Sequence, residues 1–180
     1  ITNAAPRQPV VVKFTQSMQQ DAAKAGITVT SDNGEAVAGS FVWADDATAV
    51  TFTPQGPLRP LAKHTVTVAK GLPGRAGGGT RFEVRSTFTP VGPPAVRSTT
   101  PADGATDAQR YGIQMVFTNP MDQQSVEDRI AVSGIAADKL YFSWSSNDQS
   151  LYLNAGLKPR TAYTVTVRAG AVDRFGQRMD

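Results

Sequence analysis

The chain has no cysteine, a single histidine, no long apolar run and no cluster of like charge among its 180 residues. Without cysteine there is no disulfide framework, no Cys-ligated zinc or iron-sulfur centre, no thiol nucleophile and no thioester in this segment. Export is not excluded, because a domain of about 90 residues can fold on its hydrophobic core alone. No stretch approaches the roughly 18 to 20 continuous apolar residues of a membrane helix, and no signal-type apolar segment is present, so no direct membrane span is expected. The chain opens on Ile1 rather than on methionine, which predicts a processed or excised segment. No Asn-x-Ser/Thr sequon occurs.

Net charge is +3 and the pI near 9.4, yet none of the 18 Lys and Arg residues adjoins another. Residues 1–89 carry nine basic and six acidic side chains, and residues 90–180 carry nine of each. Such a diffuse excess reads as a solvated surface, not a track for a phosphate backbone, so no nucleic-acid partner is expected.

What is present is an internal repeat. With Phe14 set on Phe117, Val11 to Met18 aligns with Gln114 to Met121, and Ile27-Thr28-Val29 falls on Ile130-Ala131-Val132. Phe41-Val42-Trp43 matches Phe142-Ser143-Trp144, Val50-Thr51-Phe52 matches Leu151-Tyr152-Leu153, and Leu58-Arg59-Pro60 matches Leu157-Lys158-Pro159. His64 to Val68 then matches Tyr163 to Val167. Each copy alternates apolar and polar residues over short runs rich in Val, Ile, Thr and aromatics, bounded by Gly, Pro, Asn and Asp. Period-2 geometry sends Phe41, Trp43, Val50 and Phe52 to one face, and Phe142, Trp144, Leu151 and Leu153 to its counterpart, with hairpin turns at 44–49 and 145–150. One helical turn is expected near Gln19 to Ala25 and another near Asp122 to Asp128. About seven strands per copy around a central tryptophan predict an all-β fold of two tandem immunoglobulin-like, fibronectin-III-like sandwiches. Trp43 and Trp144 are then structural residues, expected to pack on aliphatic neighbours.

The predicted modules cover residues 1–89 and 90–180, with Pro90 to Pro94 as an extended linker. Ala95 to Asp103 has no counterpart in the first copy, and Asp180 aligns with Arg81, where the last strand of the first copy should begin. Module one is therefore expected to lack its first strand and module two its last. Edges left open in this way predict pairing with a neighbouring chain, including an edge-strand dimer.

Val11 to Met18 and Gln114 to Asp122 resemble the V-x-F-x-x-P-M-D opening of bacterial Ig-like domains of S-layer and other surface proteins. Leu157, Pro159, Thr161 and Tyr163 resemble the tyrosine corner of those domains, and Asp173 to Gln177 is similar to their D-x-x-G-N turn. Gly39, Phe41 and Trp43 are similar to the G-x-F-x-W signal of early domains in bacterial alpha-2-macroglobulin-like protease inhibitors. Ser17, His64 and Gln177 depart from the pattern. The resemblance implies non-catalytic modules of an exported protein, extracellular, periplasmic or attached to the cell envelope. Neighbouring domains of the parent chain are the implied partners, with proteases or cell-surface molecules beyond them. A macroglobulin-like inhibitor is the leading host, ahead of an S-layer or adhesin spacer and a carbohydrate-binding accessory module. No cofactor is expected.

The remaining candidates are read against plain structural roles. His64, the sole histidine, aligns with Tyr163 and is expected to take over its corner hydrogen bond rather than serve catalysis or a metal. Met18 and Met121 are read as core. Asp45 and Asp46 sit at a hairpin tip where nothing would desolvate them. Gly77-Gly78-Gly79-Thr80 lacks the lysine and helix of a phosphate loop. Asp103, Asp107, Asp122 and Asp173 are isolated, with an interdomain calcium at Asp103 or Asp107 as the alternative. Tyr141 and Tyr152, on the outward face of the second hairpin, are the candidate partner-binding residues, able to stack on a sugar or anchor a protein.

Overall fold

The computed structural model describes residues 2–106 and 112–180, and these form two compact units, Ile1–Gly92 and Pro93–Asp180. Asp107 lies outside the described residues. In unit one the strands are β1 (Thr2–Ala4), β2 (Val10–Lys13), β3 (Ile27–Thr30), β4 (Gly39–Trp43), β5 (Ala49–Pro54), β6 (His64–Val68) and β7 (Val84–Pro90), with helix α1 (Gln20–Lys24). They form one sheet of order β2-β5-β4 and one of order β1-β7-β6-β3, antiparallel except for the parallel β1–β7 pair. Unit two has β8 (Val96–Thr100), β9 (Ile113–Phe117), α2 (Gln123–Glu127), β10 (Ile130–Val132), β11 (Tyr141–Trp144), β12 (Ser150–Asn154) and β13 (Val165–Val167). Its sheets are β11-β12-β9-β8 and β10-β13, all antiparallel.

The alternation read from the sequence is the alternation seen. Phe41 stands opposite Phe52 and Trp43 opposite Val50, while Phe142 faces Leu153 and Trp144 faces Leu151. Val50, Phe52, Leu151 and Leu153 are all buried. Both hairpins turn alike: Ala44 and Ala49 close one and Ser145 and Ser150 the other, each by a backbone bond of 2.9 Å. The positive φ values, 55° at Ala47 and 56° at Asp148, fall at matching positions. Burying these inward faces, at about 1.5–3 kcal/mol for each large apolar side chain, drives both copies to one fold.

The two tryptophans differ from expectation. Instead of resting on aliphatic neighbours alone, Trp43 stacks on Phe14 at 5.9 Å and Trp144 on Phe117 at 5.8 Å. The reason is register: each phenylalanine sits at or just past the end of the strand two places away in the same sheet, where its ring reaches the tryptophan. Trp144 also donates from Nε1 to Glu127 Oε1 at 2.8 Å, tying the hairpin to α2. Pro90 and Val91, read above as linker, belong to unit one. Pro90 ends β7 and accepts from the Leu61 amide at 3.0 Å, and the Val91 amide donates to Ala4 O at 2.9 Å.

The strand inventories differ between copies. Among the described residues, β8, antiparallel to β9, has no counterpart beside β2, and β7, antiparallel to β6, has none beside β13.

Candidate functional site

The side chains that could do chemistry are held by the fold. His64 is buried and stacks on Phe88 at 5.4 Å. Its Nδ1 lies 3.0 Å from Ala62 O, and since a carbonyl only accepts, that nitrogen carries the proton. Tyr163 bonds differently: its hydroxyl accepts from the Lys158 amide at 3.0 Å, reaching five residues back. His64 is too short to span that corner and settles on a carbonyl two residues back.

Met18 and Met121 are fully buried. Their amides donate to Ala47 O at 3.0 Å and Asp148 O at 2.8 Å, pinning each strand opening to its hairpin turn. Each methionine also bridges to the closing turn of its own unit, Met18 to Gly74 and Met121 to Asp173.

At that closing turn the copies diverge. Asp173 is buried, and its carboxylate accepts from Asn119 Nδ2 at 2.8 Å, the Phe175 amide at 2.9 Å, the Gln177 amide at 2.8 Å and Gln177 Nε2 at 3.1 Å. Charge-assisted bonds of this kind are what make a buried carboxylate tolerable. Gly74 takes the aspartate's place in unit one, and a Cβ there would lie 2.1 Å from Gln16 Nε2. Gln16, in the place of Asn119, fills the space that the carboxylate occupies in unit two. The D-x-x-G-Q turn is thus a buried polar lock.

Asp46 sits at the hairpin tip with its carboxylate bonded by the Thr48 amide at 2.9 Å and the Thr48 hydroxyl at 2.8 Å. The Thr48 amide first, and its hydroxyl second, hold its pKa below the ordinary 3.8, opposite to what a general base at neutral pH needs. Asp122 caps α2 by accepting from the Ser125 amide at 2.8 Å. The 77–80 glycine run closes a turn in which Thr80 Oγ1 donates to Ala69 O at 2.7 Å and accepts from the Leu72 amide at 2.9 Å. Among the described residues, no group of three or more His, Cys, Asp or Glu could hold a metal ion, and no helix is long and apolar enough to cross a membrane.

Tyr141 and Tyr152 lie on the outward face of unit two's larger sheet, 67% and 53% exposed. Tyr141 stands opposite Asn154, and Tyr152 lies between Ser143 and Gln114, so the two rings are diagonal neighbours. Gln114 donates to Ser150 Oγ at 2.9 Å on the same face, completing a polar surface with two aromatic plates.

A concavity lies elsewhere in unit two. A groove of about 1140 Å³ runs beside β13, walled by Ile113, Met115, Leu157, Tyr163, Val165 and Val167. Sequence reasoning did not find this groove, whose walls come from residues far apart in the chain.

The described fold is similar to three solved structures. A fragment of native alpha-2-macroglobulin from Escherichia coli spanning domains MG0-NIE-MG1 aligns at 14% identity over 69% of this chain and 44% of that one, with a TM-score of 0.41. The N-terminal part of the bacterial S-layer protein SbsC aligns at 12% identity over 92% and 38%, with a TM-score of 0.40. The native conformation of E. coli alpha-2-macroglobulin aligns at 14% identity over 91% and 11%, with a TM-score of 0.41. The chain spans less than half the length of each of these proteins. Among curated proteins, none matches in sequence. A family model described as bacterial Ig-like domain matches residues 1–89 and again 91–180, so the chain belongs to the bacterial Ig-like domain family, twice over.

Proposed function

We propose that the two modules are non-catalytic structural and interaction units of a larger exported bacterial protein, acting outside the cytoplasm or in the cell envelope to space, present or assemble neighbouring domains. One observation carries this reading. The polar groups best placed for chemistry are already bound within the sandwich: His64 to Ala62 and Phe88, Asp46 to Thr48, and Asp173 to Asn119, Phe175 and Gln177. A group engaged in this way holds a fold more readily than it turns over a substrate.

Within that reading the favoured host is an alpha-2-macroglobulin-like protease inhibitor, on the strength of the Gly39, Phe41 and Trp43 hairpin. The glycine there has a packing reason, since a Cβ at Gly39 would meet the Phe52 ring at 2.4 Å. Proteases would then be partners of the whole parent, not of this segment. A spacer of an S-layer protein or adhesin is the second reading, supported by the repetition of one sandwich. A carbohydrate-binding role rests on Tyr141 and Tyr152 alone.

Two measurements separate these. The reading frame that carries the chain should hold a bait region or a Cys-Gly-Glu-Gln thioester for the inhibitor, and many further copies of the repeat for the spacer. Thermal unfolding of the chain should be unmoved by oligosaccharides. A saturable rise in Tm with one sugar, abolished by replacing Tyr141 and Tyr152 with Ser, would make the module a carbohydrate binder instead.

A further inference from the structure

The turn that follows β3 joins an asparagine to a glycine. Of the asparagines in the chain only Asn33 precedes a glycine; Asn3, Asn119, Asn147 and Asn154 precede Ala4, Pro120, Asp148 and Ala155. The Ser31 amide donates to Glu35 O and the Gly34 amide to Ser31 O, both at 2.9 Å, and Gly34 takes the positive φ of 83° that this tight reversal requires. Asp32, Asn33, Gly34 and Glu35 are all exposed. The Asn33 carboxamide is held at both ends: Oδ1 accepts from the Glu35 amide at 3.1 Å, and Nδ2 donates to Glu35 Oε2 at 2.8 Å.

Two other exposed asparagines share half of this geometry. Asn147 and Asn154 each accept at Oδ1 from the amide two residues on, Gln149 and Gly156, at 3.3 Å. What they lack is a bare successor. A side chain on the next residue shields that residue's nitrogen and restricts its backbone, whereas Gly34 carries none, and a Cβ placed there would meet nothing within 4 Å. The Gly34 nitrogen is therefore unshielded as a nucleophile toward Asn33 Cγ. The Glu35 amide already donates to the oxygen on which negative charge develops when that carbon is attacked.

We propose that Asn33 is a self-modification site, converting without an enzyme to aspartate and isoaspartate. The Gly34 nitrogen gives its proton to hydroxide and bonds to Asn33 Cγ. The Cγ–Nδ2 bond breaks, and ammonia leaves after taking a proton from water, which closes a succinimide. Water then opens the ring: breaking the Cγ–N bond gives aspartate, and breaking the bond between the Asn33 main-chain carbonyl carbon and that nitrogen gives isoaspartate. Nothing is oxidised or reduced. Either product replaces the amide that donated to Glu35 with a carboxylate between Asp32 and Glu35, lowering the net charge of +3 by one. Arg59, the cation at this turn, is already bonded to Asp32 at 2.9 Å. Isoaspartate also adds a carbon to the main chain inside the reversal. That breaks the register of the Ser31–Gly34 and Ser31–Glu35 bonds, which bring the Val37 amide to 2.8 Å from Val29 O. Modification thus loosens the return of the chain along β3.

The test incubates the whole chain at neutral and mildly alkaline pH and follows Asn33, Asn147 and Asn154 by peptide mapping, with isoaspartate quantified by enzymatic methylation. Asn33 should convert at least about tenfold faster than either of the others, with a rate that rises with pH and a mixture of both products. Gly34→Ala, whose methyl group has open space in the fold, should slow conversion by about tenfold or more, and Asn33→Gln should stop it. In the aged chain, amide exchange at Ser31, Gly34 and Val37 should quicken by about tenfold. Asn33→Asp, which adds the charge without the extra carbon, should quicken it less. Conversion of Asn33 no faster than that of Asn147 overturns the proposal, and this comparison needs no variant. Conversion unchanged in Gly34→Ala also overturns it. So does conversion more than about tenfold slower in the folded chain than in urea, because the turn would then protect the asparagine.

Discussion

Asp173→Ala should selectively destabilise the second module. The carboxylate accepts four hydrogen bonds, from Asn119 Nδ2, Gln177 Nε2 and the amides of Phe175 and Gln177. Alanine leaves those donors facing an apolar methyl group. The two turn amides are part-buried and can recover water, whereas the Asn119 amide is buried and cannot. Hydrogen bonds to charged groups contribute about 1.5–3 kcal/mol each, and stranded buried donors cost about 1–3 kcal/mol. Counting the Asn119 bond in full and the turn in part gives a loss of about 3–4 kcal/mol. Asp173→Asn keeps one carbonyl oxygen and should lose about 1 kcal/mol. The assay is urea unfolding followed by tryptophan fluorescence. In a Trp43→Phe background only Trp144, stacked on Phe117 and bonded to Glu127, reports, and it reports unit two. The converse Trp144→Phe background should show unit one unchanged, because Gly74 stands where the aspartate would be. A loss below about 1 kcal/mol, no larger than for the single N-cap bond removed by Asp122→Ala, would refute the lock.

Gly39→Ala should cost unit one about 2 kcal/mol in the same fluorescence assay, because the new methyl group meets the Phe52 ring at 2.4 Å and Thr53 O at 2.5 Å. Tyr163→Phe removes the hydroxyl that binds the Lys158 amide and should cost unit two about 1 kcal/mol by thermal unfolding. Asp46 should titrate below 3.8 by NMR, since Thr48 stabilises its charged form. A carboxylate with its folded pKa lowered contributes stability that is present above 3.8 and lost as the pH falls through the lower folded value.

Much of this was written in the chain because both copies obey simple periods. The Phe41–Phe52 and Phe142–Leu153 hairpins follow from alternation, and the two helical turns from its interruption. Other features depend on contacts that no local pattern encodes. β1 is three residues, Thr2–Ala4, with no strand signal, and exists through its parallel pairing with β7. Pro90 reads as linker but ends β7, beyond Phe88, the last residue that β7 pairs with β6, so its missing N–H interrupts no bond of that ladder. β7 itself starts at Val84, later than the Arg81 expected from sequence. The tryptophan partners Phe14 and Phe117 emerge only from strand order. The Asp173 lock has a local trace in the turn motif, but its buried partner Asn119 is 54 residues away.

The central claim is that one sandwich occurs twice with different edges covered, and amide exchange on the unmodified chain tests it most directly. Val66 and Val68, paired with β7, should be strongly protected, whereas Val165 and Val167 should exchange with little protection. The amides of β9, covered by β8, should outlast the outward amides of β2. Equal protection of β6 and β13, or of β9 and β2, would mean that the edges are alike and would contradict the account.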